Sequence, residues 1–162
     1  MTDARFEDGA ERPLRLIAQG PDDMPVISAL VQDAVFTAAD LRWSRKARRL
    51  DLLLNRFRWE DRVAAERAGR AYERVRCVLT VQDVTALATQ GVRPGDTDTV
   101  LSVLALAFTP GADGTGVLEL VLAGDGALRL EVECLDLMLS DVTRPYRAPS
   151  GKVPEHPDTW TP

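Results

Sequence analysis

Apolar positions recur at short, regular intervals from Leu14 to Leu139, and their period says what each stretch becomes. In PDDMPVISALVQDA (21–34), Ile27, Leu30, Val31 and Ala34 fall on one stripe, with Pro25 in the first turn and Asp22 or Asp23 as the cap. This is the spacing of an amphipathic helix. Elsewhere the period is two, or the run is continuous. Residues 14–18, 36–43, 49–57, 71–81, 84–89, 99–108, 116–123 and 127–139 read as strands separated by turn residues. Both faces of VLSVLALAF (100–108) are apolar, which places that strand inside a sheet. EDRVAAERAG has room for two helical turns, with Arg62–Glu66 and Glu66–Arg70 at supportive spacing and Gly69 near the end. The expected fold is α+β: a mainly antiparallel sheet of about six or seven strands, curled toward a partial barrel, with one N-terminal amphipathic helix packed on it.

Two hairpins stand out. In LRWSRKARRLDLLLNRFRWE (41–60), pairing Trp43 with Leu50 and Leu41 with Leu52 leaves Arg42 opposite Asp51 and makes Arg45 to Arg48 a four-residue loop. Beyond Leu54, Arg56 and Arg58 take the parity the leucines held, so a bulge is expected near Asn55. In the second hairpin (116–139), a loop at Gly124 to Gly126 would pair Leu122 with Leu128, Leu120 with Leu130 and Leu118 with Val132. That register sets Glu119 opposite Glu131 on the outer face and calls for another bulge near Cys134.

Length and composition bound the rest. A chain of 162 residues, 45% hydrophobic and 28% charged, suits one domain with a real core. The expected organisation is a globular domain over 14–146 with flexible polar tails at 1–13 and 147–162. MTDARFEDGAERPL lacks the basic-then-apolar order of a secretory leader, and no apolar run is long enough to span a bilayer, so a cytoplasmic location and no membrane association are expected. Cys77 and Cys134 stand in apolar strand-like runs without CxxC spacing, as buried reduced thiols do. With His156 the single histidine, in the C-terminal tail, His/Cys metal sites and Ser-His or Cys-His catalysts lack parts. No metal and no cofactor is expected.

Charge adds an asymmetry. Residues 42–76 carry 12 of the 20 basic and 5 of the 25 acidic side chains, a local +7 against −12 for the remainder. Such a division reflects a polar partner or two regions that neutralise each other. The candidate binding surface is Arg45, Lys46, Arg48, Arg49, Arg56 and Arg58, engaging an unknown acidic protein or, in a homo-oligomer, the chain's own acidic hairpin. Next to it stands the plain reading of a solvated tip whose charges guard an edge. Nucleic acid is disfavoured by the overall acidity; five phosphate contacts would give a log–log salt slope of roughly −4 to −5. The rival is an enzyme or a small-ligand or metal-binding protein using Glu119, Arg129, Glu131, Glu133 and Asp136. GADGTG (111–116) has the glycines of a phosphate loop but no following helix or lysine, so it reads as a turn.

The succession VISALVQDAVF, LNRFRWE, DTVLSVLALAF and GDGALRLEVECLDLMLSDV, followed by a Pro- and His-containing tail, resembles the bacterial family called domain of unknown function 2948. The likeness runs from Leu14 to Asp141. It implies a free-standing bacterial cytoplasmic domain, and it brings no assigned activity, cofactor or catalytic residue to any position.

Overall fold

A computed structural model describes residues 13–149 and 151–154. Eleven strands among them form one antiparallel sheet, joined by two short α-helices. In chain order these are β1 (Arg15–Ala18), α1 (Met24–Val31), β2 (Val35–Phe36), β3 (Leu41–Ser44), β4 (Arg49–Phe57), α2 (Arg62–Ala68), β5 (Glu73–Val81), β6 (Val84–Gln90), β7 (Leu101–Pro110), β8 (Gly116–Leu122), β9 (Ala127–Val132), β10 (Leu137–Asp141) and β11 (Tyr146–Arg147). The sheet runs β1-β10-β5-β4-β2-β7-β8-β9-β6, with β3 beside β4 and β11 beside β5. It stays open at β1 and β6. Leucines of β4, β8, β9 and β10 join Met24, Ile27 and Val31 of α1 in one core, with the helix packed chiefly on β7 and β4.

The fold is α+β, as the periodicities imply, with more strands than expected because two runs break and a short further strand, β11, forms at Tyr146–Arg147. The expected strand 36–43 is β2, a 3₁₀ turn at Ala38–Asp40 and β3; Asp40 Oδ2 accepts from the Thr37 N–H at 2.9 Å and holds the corner. The expected strand 127–139 is two strands in different parts of the sheet. Where a bulge was expected near Cys134 the chain crosses over: β9 lies between β8 and β6, while β10 lies between β1 and β5. The switch of apolar parity there marks a change of neighbours. β7 does lie between two strands, β2 and β8.

α1 buries Met24, Ile27 and Val31 and ends earlier than its stripe suggests. Asp33 turns left-handed (φ 63°), and main-chain bonds Asp33 N to Val103 O (2.8 Å) and Val103 N to Ala34 O (2.9 Å) draw the chain onto β7. Ala34 is therefore buried outside the helix. α2 forms where expected and stops at Gly69, left-handed at φ 63°. Arg62 pairs with Glu66 at 3.2 Å, but Arg70, lying past that stop, turns to Asp61 at 2.8 Å. Of the expected C-terminal tail, Arg147 pairs with Glu73 and Ala148 is buried. His156 and the expected N-terminal tail up to residue 12 lie outside the described residues.

Candidate functional site

The first hairpin takes the predicted register, Trp43 with Leu50, Leu41 with Leu52 and Arg42 with Asp51, around a loop from Arg45 to Arg48. Ser44 Oγ accepts from the Ala47 N–H at 3.1 Å, and Arg48 closes the loop in the left-handed region (φ 53°). Two cations at this end of the hairpin, Arg48 of the loop and Arg49 of β4, are spent within the chain. The Arg48 guanidinium donates to Glu133 Oε1 at 2.8 Å while its carbonyl accepts from the Val84 N–H at 2.9 Å. Arg49 Nε donates to Asp51 Oδ2 at 2.9 Å, and Asp51 also accepts from Thr80 Oγ1 at 2.8 Å. The basic loop thus leans on the acidic segment after β9 within one molecule. Arg42, Arg45 and Lys46 are left exposed, without an ion-pair partner among the described residues. Trp43 and Trp59 are half-buried: Trp43 packs against the core, and Trp59 Nε1 donates to Gln32 O at 3.0 Å.

Arg56 and Arg58 do not belong to this surface. No bulge occurs at Asn55: β4 pairs with β5 in unbroken register from Leu50 to Phe57, and Arg56 continues the inward parity of Leu50, Leu52 and Leu54. Its side chain is fully buried, donating to Glu60 at 2.8 and 2.7 Å and to Asp141 at 3.1 Å. Asp141 Oδ2 in turn accepts from the Leu14 N–H at 3.0 Å. Burial alone would lower the Arg56 pKa, but the Glu60 hydrogen bond and the charges of Glu60 and Asp141 outweigh it and hold the guanidinium above the ordinary arginine range. Cys77, beneath this cluster, has its thiol pushed up to about 12, chiefly by burial, and is no nucleophile at neutral pH. Arg58 is 11% exposed and bonded to Glu73 at 2.7 Å.

The same network makes a prediction for pH. Burial would raise the Glu60 carboxyl, yet the Arg56 hydrogen bond and charge hold it below its ordinary 4.5. Asp61 lies below 3.8, principally through its hydrogen bond from Arg70. A depressed folded-state pKa contributes stability that is fully present above the unfolded value and lost as pH falls through the folded one. Urea midpoints measured between about pH 7 and about pH 3 should therefore drop below roughly pH 4.5, and Glu60→Gln should flatten that drop. An unchanged profile in Glu60→Gln would refute the assignment.

The second hairpin keeps the predicted parity but not the predicted partners. Leu118 faces Leu130, Leu120 faces Leu128 and Glu119 faces Arg129, around a loop of Ala123, Gly124 and Asp125. Gly124 (φ 79°) and Asp125 (φ 67°) supply the left-handed turn. Gly126 serves close approach: a Cβ there would stand 3.2 Å from Gln90 O. The expected carboxylate cluster is therefore dispersed. Glu119 lies across from Arg129, Glu131 from Val117, and Glu133 on Arg48, while Asp136 sits in the crossover, its carbonyl accepting from Gln82 N at 2.9 Å. Among the described residues no three His, Cys, Asp or Glu side chains are grouped to hold a metal ion. Glu131 and Glu133 do line a shallow depression of about 380 Å³ with Thr85, Thr109 and Thr115. Cys134, expected buried, is exposed, and its Sγ lies 3.2 Å from Asp83 Oδ2. GADGTG is the β7–β8 turn. No described helix is long and apolar enough to cross a membrane.

A family model described as a protein of unknown function, DUF2948, matches residues 14–156. No curated protein and no solved structure matches the chain.

Proposed function

The chain belongs to the DUF2948 family, and we propose that it is a non-enzymatic protein-binding domain whose β3–β4 loop receives an acidic segment of another protein. The observation that carries this is the division of labour in the loop. Arg48 and Arg49 are held by Glu133 and Asp51, which fixes the loop against the sheet, while Arg42, Arg45 and Lys46 stay exposed on one projecting end. A cation already paired inside the molecule gains little from a second carboxylate. An unpaired one on a fixed support loses less entropy on binding and steers an anion from a distance. In this reading the domain works in a bacterial cytoplasm, in keeping with its two free cysteines.

A fluorescent acidic peptide rich in Glu and Asp tests the proposal directly. It should bind in a salt-sensitive way, and Arg45→Glu combined with Lys46→Glu should weaken it about tenfold or more without moving the melting temperature. Equal binding by the double variant would end this reading. Tighter binding of duplex DNA than of the peptide would replace it with a nucleic-acid reading.

A further inference from the structure

Strand β6 ends the sheet, and it differs from the other edges. β1 has four residues, one of them Arg15, and follows Pro13; β3 has four and includes Arg42. Charge, proline and brevity are what keep edges from pairing with other chains. β6 has seven residues, VTALATQ, with neither charge nor proline. Its β9 neighbour covers one side. Beyond the Val84–Arg48 bond, no main-chain bond from another described element reaches the other side.

Which groups face outward follows from the hairpin beside it. Leu122 N donates to Gly126 O at 2.9 Å, so Leu120 and Leu118 continue the bonded pairs with Leu128 and Leu130. Arg129 and Glu131 consequently turn their N–H and C=O groups to β6, where they meet Ala88 and Ala86. Leu87 and Thr89, alternating with those alanines, present their own N–H and C=O to the open edge. Thr85 is the extra residue of a bulge, its hydroxyl donating to Glu131 O at 3.2 Å, and it bounds the ladder at that end.

We propose that β6 is a self-association edge: two copies pair β6 antiparallel about a two-fold axis through Leu87, continuing one molecule's sheet into the next. A two-fold contact must be complementary to itself. Thr85-Ala86-Leu87-Ala88-Thr89 reads identically in both directions, so the axis sets Leu87 on Leu87, Ala86 on Ala88 and Thr85 on Thr89. Because Leu87 is an outward-bonding residue, its symmetric pair exchanges two N–H···O bonds at the axis itself. The flanking side chains agree in charge. Arg129, Ala88, the second copy's Ala86 and its Glu131 form one row across four strands. Three strand spacings put that arginine and glutamate about 14 Å apart at Cα, a span the two extended side chains bridge over the alanine methyls. The axis makes this pair twice. A ladder this short suits a concentration-dependent dimer rather than an obligate one.

Light scattering and sedimentation from about micromolar to about millimolar chain should show a monomer–dimer equilibrium, with the Leu87 and Thr89 amides gaining exchange protection as dimer forms. Thr89→Pro removes an N–H that β9 does not use and should weaken dimerisation about tenfold or more. A second test survives even if that variant fails to fold. Arg129→Glu and Glu131→Arg each place like charges across the axis and should each weaken self-association, whereas an equimolar mixture of the two restores opposite pairs and should dimerise. A monomer throughout the range, or a dimer indifferent to the proline and to the mixing, would overturn the proposal. So would protection at Leu87 and Thr89 that arises only when an unrelated extended peptide is added.

Discussion

Arg56→Ala is expected to cost about 3–5 kcal/mol of stability, enough to remove much of what a domain this size possesses. The arginine is fully buried between Glu60 and Asp141, and Asp141 is itself 5% exposed. Truncating the cation strands Asp141, which water barely reaches, and leaves Glu60, whose side chain is 30% exposed, to solvent; the unpaired buried charge of Asp141, more than the lost contact, sets the cost. Because the three groups act together, Arg56→Ala combined with Asp141→Ala should cost less than the sum of the two, with a coupling of about 0.5–3 kcal/mol. Urea unfolding of the four members of this cycle measures both quantities. A loss below about 1 kcal/mol in Arg56→Ala would mean that the carboxylates are not held by that arginine.

Gly116→Ala is the second large effect, and its origin is steric. A Cβ on Gly116 would stand 2.4 Å from Phe108 Cζ and 2.7 Å from Thr109 O, in the β7–β8 pair just past the turn. The ring can rotate, but the carbonyl belongs to the ladder and cannot. Overpacking of this kind costs about 1–3 kcal/mol, which thermal unfolding would register as a fall of a few degrees. Adding Phe108→Leu should recover part of the loss by clearing the ring while leaving the Thr109 contact. If Gly116→Ala melts with the parent protein, the close approach of the two strands is wrong. The glycines of GADGTG thus serve a tight turn and a close packing site.

Several features were legible along the chain for a common reason. Alternation with period two says which side chains face inward, and it did so for β4, β8 and β9, where Leu50, Leu52, Leu54, Leu118, Leu120, Leu122, Leu128 and Leu130 are buried and the out-of-phase Leu53 is not. It does not distinguish registers that differ by two residues. The β8–β9 hairpin therefore keeps its predicted inner face while Glu119 exchanges Glu131 for Arg129 as its partner. In the register adopted, Gly126 lies against Gln90 of a third strand, where a Cβ would stand 3.2 Å from its carbonyl oxygen. Arg56 went the other way. Its position on the leucine parity was visible, but a buried arginine is tolerable only beside carboxylates, and one of them lies 85 residues further along. Local pattern made that residue look like a slip in the strand and a member of the exposed basic surface.

The sequence by itself determined the class of the fold, the hairpin of Trp43 and Leu50, the first helix and the uneven charge, because each depends on neighbours within a few positions. Only the tertiary structure decided which charges remain available. Glu133 comes to Arg48 and Asp141 to Arg56 from opposite ends of a crossover that the apolar pattern records merely as a change of parity. Whether an ion is solvated, paired or buried depends on groups brought within a few ångströms by the whole sheet, and Coulomb energy follows that separation rather than distance along the chain.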